Sequence, residues 1–253
     1  ERYPHLLNDP LDEVGRVQKR RCVERASAIL CDSEATRGEA EAFYALEGKR
    51  VAVVHLAPSA VFRPLSAGEI QPERMPRPFL LYVGGRVHYK NFSRLLQAYA
   101  HWEKRGSIDL LVSGPPWSST ESQCLASSGL AGNVRHAGEV SDEGLCHLYN
   151  TALALVSPSL AEGFGLPALE AVACGCPLVA SDIPATHEVA GECPYYFDPA
   201  STESLLAALD AALGEGRSLR RPQAGLAQAA GYSWDRTARA TLGVYRQVLG
   251  VDG

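Results

Sequence analysis

From residue 79 to residue 213 the sequence alternates short apolar runs with helix-length amphipathic stretches, and that order of periodicities leaves few folds open. The runs at 79–83, 108–112, 134–136, 152–156, 178–180 and 195–197 have the length of buried strands. Stretches at 91–104, 119–130, 142–150, 167–174 and 202–213 read as helices. Ser141 stands just ahead of two acids, Asp142 and Glu143, in a first helical turn, and Gly175 closes the helix that ends at 174. Strands separated by helices pair side by side in one direction rather than as hairpins, and a parallel sheet needs helices over both faces. The expected fold class is therefore α/β, a doubly wound parallel sheet. Sheets of this kind hold ligands beyond the carboxyl ends of their strands.

The first 57 residues read as a separate piece of the same kind. A charged helical stretch at 11–26 precedes an apolar run at 28–31, Ser33 can cap a helix running to about residue 46, and Gly48 closes it before a β-rich run at 51–55. Pro58, Pro64, Pro72, Pro76 and Pro78 then crowd into about twenty residues, which reads as a linker at 58–77. The expected organisation is 1–57, linker 58–77, a main domain at 78–232 and a final helix within 233–253. Lys and Arg number 24 against 29 Asp and Glu, a net charge of −5 with no long basic run, so a broad nucleic-acid surface is excluded. No apolar stretch nears the roughly 20 residues of a membrane span, and the opening residues are charged, which reads as cytoplasmic. Seven cysteines without a CxxC pair read as reduced structural thiols rather than metal ligands or disulfides.

Two loops carry candidate chemistry. Gly84-Gly85-Arg86-Val87-His88-Tyr89-Lys90-Asn91 lies between a strand and a helix, so close-approaching backbone, a helix start and two cations converge at the ligand edge of the sheet. That is the composition of a phosphate site, although it is neither GxGxxG nor a Walker loop; a solvated turn with two surface cations has the same sequence. Glu162-Gly163-Phe164-Gly165-Leu166-Pro167-Ala168-Leu169-Glu170 also follows a strand and opens a helix, with Pro167 suited to its first turn. The amides of Gly163, Phe164, Gly165 and Leu166 form an anion or hydroxyl cradle flanked by Glu162 and Glu170. Spacing alone leaves open whether these carboxylates act as acid and base, accept hydrogen bonds from sugar hydroxyls, or are merely solvated.

Glu162 and Glu170 match the E-x7-E pattern of retaining GT-B glycosyltransferases of group 1, and the rest of the chain resembles that family in order and spacing. The matching pieces are Gly84-Gly85-Arg86 with Tyr89-Lys90-Asn91, Gly138-Glu139-Val140-Ser141-Asp142, Ser157-Pro158-Ser159, Cys174-Gly175-Cys176-Pro177 and Tyr196-Phe197-Asp198-Pro199. The resemblance implies a Rossmann-like C-terminal domain that holds a nucleotide-sugar, UDP- or GDP-linked, with no other cofactor and no required metal. It implies that Arg86 and Lys90, beside Gly84 and Gly85, hold the diphosphate, that Glu170 holds the ribose hydroxyls and that the backbone at Val140 holds the base. Glu162 and the amides of Gly163, Phe164, Gly165 and Leu166 would hold the transferred sugar and the β-phosphate. On this reading Glu162, Arg86 and Lys90 are the catalytic set, and His88, His136 and His187 are not metal ligands.

The resemblance also implies a glycan or lipid-linked acceptor as the other partner; the chain itself is expected in the cytoplasm, with peripheral attachment to the inner membrane face as the alternative. Residues 1–57 resemble only the end of the family's N-terminal acceptor domain, and the last helix resembles the segment that packs back on it. The chain is therefore expected to bind donor but to transfer poorly without the remainder of that domain. A non-catalytic nucleotide-sugar-binding module or partner-dependent subunit is the alternative, and a nucleotide-sugar epimerase a remoter one that lacks the E-x7-E pattern.

Overall fold

The computed structural model describes residues 10–70, 77–215 and 220–251. Six parallel strands form the main sheet: β3 (Phe79–Val83), β4 (Asp109–Ser113), β5 (Val134–Gly138), β6 (Ala154–Ser157), β7 (Leu178–Ser181) and β8 (Tyr195–Phe197). Their order across the sheet is β5-β4-β3-β6-β7-β8. The chain thus winds outward from β3 to one edge, returns to lay β6 against the other side of β3, and winds outward again. The direction of winding reverses between β3 and β6, and the loops leaving those two strands lie at the point where open α/β sheets take their ligands.

The helices between the strands are α3 (Phe92–His101), α4 (Ser119–Ser127), α5 (Asp142–Thr151), α6 (Leu166–Ala173) and α7 (Pro184–Ala190), followed by α8 (Thr202–Glu215), α9 (Arg220–Ala229) and α10 (Trp234–Leu249). Successive strand residues face opposite sides, so each strand feeds two cores. Leu80, Tyr82, Leu110, Val112, Ala154 and Val156 pack with α3 and α8 residues such as Leu95, Tyr99, Leu205 and Leu209. Phe79, Leu81, Leu111 and Leu155 pack with Tyr149 of α5 and Leu169 and Val172 of α6.

Several boundaries differ from the sequence reading for visible reasons. The run at 152–156 begins its strand only at Ala154, because the N–H of Ala152 still closes α5 on Leu148. The helix expected at 91–104 ends at His101 and hands over to a 3-10 turn at Glu103–Gly106. Helices α7 and α9 carry no clear signal in the sequence. Pro222 and Gly225 look like breakers, yet Pro222 stands in the first turn of α9, where its missing N–H costs nothing. Gly225 is a packing residue: a Cβ there would lie 3.0 Å from Val172 Cβ and 3.4 Å from Cys193 Sγ.

The N-terminal residues form α1 (Pro10–Arg25), β1 (Ala28–Cys31), α2 (Glu34–Phe43) and β2 (Arg50–Val53). β1 and β2 pair in parallel with Ala28 opposite Arg50 and Cys31 opposite Val53. Ser33 caps α2 by accepting the N–H of Thr36. The segment at 54–70 has no regular structure but lies against the main domain: Phe62 is buried in its core, and Asn150 donates to Arg63 O while accepting Leu65 N–H. Residues 71–76 of the expected linker, and 1–9 and 252–253 at the ends, lie outside the described residues. α10 runs back over the N-terminal unit, where Thr237 donates to His55 O at 2.6 Å and Arg50 to Gln247 Oε1 at 2.8 Å. Among the described residues no helix is long and apolar enough to cross a membrane.

Candidate active site at the reversal of the sheet

The loop after β3 turns through a short 3-10 segment, His88–Lys90, and enters α3 at Asn91, a buried residue held in the left-handed region with φ 55°. The Asn91 amide group donates to Pro199 O at 2.9 Å, which fixes the turn and with it the direction of Lys90. The loop after β6 is joined to this one by the Leu160 N–H, which donates to Tyr89 O at 2.8 Å. The ammonium of Lys90 then meets both carboxylate oxygens of Glu162, each at 2.8 Å. Ser159 donates to Glu162 Oε1 at 2.6 Å. The pair is largely withdrawn from solvent, with side-chain exposures of 22% and 14%. Partial burial strengthens such a contact over a surface ion pair and also orients both groups.

Beyond Glu162 the chain reaches α6 through Gly165, whose φ of 97° suits glycine. The N–H groups of Gly163, Phe164, Gly165 and Leu166 donate to no acceptor among the described residues. Four unpaired donors at a helix start are groups that can take an anion. Phe164 itself is turned inward and buried, with its ring 6.0 Å from His55 and 5.7 Å from Tyr232.

Glu170 lies about one turn into α6 and accepts the hydroxyl of the buried Tyr149 at 3.0 Å. Burial raises its pKa above the ordinary carboxylate value of 4.5, and the Tyr149 hydrogen bond works against that rise. Tyr149→Phe is therefore expected to cost about 1.5–3 kcal/mol of stability at pH 8, where the hydroxyl solvates an ionised group. A raised folded pKa means the ionised form is the unfavourable one, so the cost should shrink as pH falls toward 4.5 and Glu170 takes up a proton. Urea denaturation at the two pH values checks this, and an equal loss at both would remove the coupling.

Arg86 takes a different position from the one the sequence suggests. Its guanidinium is turned onto α4, with Nε 2.6 Å from Glu121 Oε1, Nη2 2.8 Å from Pro116 O, and the indole of Trp117 4.5 Å away. Only 5% of the side chain is exposed. The hydrogen bond from Arg86 holds the Glu121 carboxyl at a pKa of about 2. Nη1 is buried without a partner and is the part of this group still able to take an acceptor. The structure thus brings Lys90 and Glu162 into contact, sets Glu170 in its own pair with Tyr149, and gives Arg86 to Glu121. Val140 stands just past the rim end of β5, two strands along from β3, and is partly exposed. Among the described residues no group of three or more His, Cys, Asp or Glu is placed to hold a metal ion.

Sequence reasoning missed residues of the N-terminal unit. Ser33 and Thr36 both donate to Gly163 O, and Asp32 lies against the same loop. Ser33 was legible only as a helix cap; nothing in its local pattern signals a contact 130 residues away.

A six-stranded parallel sheet whose winding reverses between β3 and β6, covered by helices on both faces, defines the class: this is a Rossmann-like domain of the GT-B type. Residues 68–225 match the family described as glycosyl transferases group 1, and the chain belongs to that family. It is 32% identical over 250 residues to O-antigen chain mannosyltransferase B of Escherichia coli, covering 94% of this chain and 65% of the relative. The chain thus spans less than two thirds of the length of that protein, and 56% of a mycobacterial mannosyltransferase from Mycolicibacterium hassiacum. The fold is that of sucrose-phosphate synthase from Thermosynechococcus elongatus, at TM-score 0.81 and 22% identity over 99% of this chain and 66% of the other.

Proposed function

We propose that this chain binds a nucleoside-diphosphate sugar, UDP- or GDP-linked, in the β3/β6 crevice and serves the donor side of a retaining sugar transfer to a glycan or lipid-linked acceptor. The observation that carries the reading is the Lys90–Glu162 pair set beside the unpaired amides of residues 163–166. Lys90 and those amides take the diphosphate, and Arg86 joins through Nη1. Glu162 accepts a hydroxyl of the transferred sugar, Glu170 accepts the ribose hydroxyls, and the backbone at Val140 meets the base. The leaving group is a nucleoside diphosphate, so the chemistry asked of these residues is to stabilise charge that grows on its phosphate oxygens. An ammonium and oriented amides supply that stabilisation, and the reading requires no metal.

The E. coli relative is named for mannosyl transfer, which makes mannose the first sugar to test. The place of action follows as the cytoplasm, with peripheral attachment to the inner membrane face where the acceptor is lipid-linked.

Thermal unfolding in the presence of UDP, GDP, ADP and their sugars tests donor binding. A ligand at one hundred times its dissociation constant adds about 2.7 kcal/mol to stability, a shift of several degrees for a chain of this size. One base is expected to stand out, and its shift is expected to survive EDTA. A panel with no shift removes the donor reading, and a shift abolished by EDTA removes its metal-free form.

A further inference from the structure

We infer that Ser33 and Thr36, two hydroxyl residues of the N-terminal unit, are positioning residues that aim the Phe164 amide at an anionic oxygen of the bound donor. This rests on the donor reading above and adds to it a role for a part of the chain outside the Rossmann-like domain. The Ser33 hydroxyl is fully buried and has both of its capacities used: it accepts the Thr36 N–H at 2.8 Å and donates its one proton to Gly163 O. Thr36 Oγ1 donates to the same carbonyl at 3.2 Å. Two donors fill the two lone pairs of that oxygen.

A trans peptide is planar, with its C=O and the next N–H pointing in opposite directions. Holding Gly163 O against α2 therefore turns the Phe164 N–H away from the N-terminal unit, and there it meets no acceptor among the described residues.

Two further contacts make this tether stiff. A Cβ on Gly163 would lie 3.1 Å from Asp32 Oδ2 and 3.4 Å from Thr36 Oγ1, so the loop backbone rests directly on the N-terminal unit. The start of α2 is also fixed to the main domain by Glu188 of α7, which accepts the N–H groups of Glu34 at 2.8 Å and Ala35 at 3.2 Å. The hydroxyls that orient the Gly163 peptide are thus anchored by their own helix, and the geometry of the anion cradle depends on how the two parts of the chain meet.

The test compares the full chain with Thr36→Val, which is nearly isosteric, with the double variant Ser33→Ala/Thr36→Val, and with Ser33→Thr, which keeps a hydroxyl for both bonds. UDP and GDP and their sugars are titrated by calorimetry, and the Phe164 amide and Gly163 carbonyl are followed by NMR. Thr36→Val is expected to weaken binding about threefold and the double variant tenfold or more, with the Phe164 amide no longer moving on titration, while Ser33→Thr stays within twofold of the parent. Circular dichroism checks that the variants fold; if the double variant does not, Thr36→Val alone decides. Variants that bind like the parent, with an unchanged Phe164 response, overturn the positioning role and leave the donor reading standing. A parent chain that binds no member of the panel overturns the donor reading, and the positioning role with it.

Discussion

Lys90→Ala is expected to abolish the nucleotide-induced thermal shift and, in any assay of sugar transfer, to lower kcat by about 10²–10³-fold, the usual cost of removing one preorganised donor from a site of developing charge. The size follows from the local charges. Lys90 faces Glu162 and Arg86 faces Glu121, so these two pairs carry no net charge before a diphosphate arrives. Removing the ammonium leaves Glu162 uncompensated where its side chain is only 14% exposed, and the incoming phosphates then meet a net negative site. Arg86 cannot substitute, because two of its nitrogens are already given to Glu121 and Pro116. Combining Lys90→Ala with Glu162→Gln removes the uncompensated charge at position 162 and should recover part of the diphosphate binding, although not the turnover. His101→Ala is the control, since His101 lies at the far end of α3 and its ring bonds Gln97 O one turn back in its own helix. A Lys90→Ala chain that keeps its thermal shift within a degree of the parent would show that the charge balance has been assigned to the wrong lysine.

Much of the fold, and the two loops of the candidate site, are legible in the sequence. Buried parallel strands are short apolar runs, so each strand of the main sheet could be found from residue type alone, and helices joining them imply the parallel order. The two loops were legible because glycine, cations and acids after a strand leave little else for that stretch to do. Their meeting was not: Lys90 and Glu162 stand 72 residues apart, and only the reversal between β3 and β6 places their loops together. Arg86 shows the opposite limit. Its partner Glu121 belongs to a polar helix start, where it also closes a capping box with Ser118, and a residue occupied in capping carries no sign of a second partner. α7 and α9 were hidden by prolines and a glycine that ordinarily punctuate loops. In α9 the glycine is demanded by a neighbouring helix, which is a tertiary fact with no local trace.

The rim of the sheet yields the largest expected effect on stability. Gly114, just past β4, has φ 147°, and a Cβ there would lie 2.5 Å from Gly84 O and 3.1 Å from Gly84 C. Those are backbone atoms at the end of β3, and they cannot turn aside as a side chain can. The close approach is built from main-chain bonds: Gly84 N–H donates to Ser113 O at 2.9 Å and Gly114 N–H to Gly138 O at 3.0 Å, lacing the ends of β3, β4 and β5 together. Gly114→Ala must either break this lacing or push the Gly84 loop outward, and it forces a side chain into a region of backbone space that L-residues rarely occupy. Overpacking and backbone strain of this kind cost about 1–3 kcal/mol each, so a combined loss of about 3–5 kcal/mol is expected, against a typical total stability of about 5–15 kcal/mol. Urea denaturation should show a much lower midpoint with an unchanged slope. Gly243→Ala is the counter-example: it lies inside α10 with nothing within 4 Å of its added Cβ, and it should raise stability by about 0.5–1 kcal/mol. Because the Gly84 loop also carries Lys90, a surviving Gly114→Ala protein should lose nucleotide binding along with stability, whereas Gly243→Ala should keep it. A Gly114→Ala chain of parental stability would mean that the strand ends at this rim do not pack as closely as the Gly84–Gly114 approach requires.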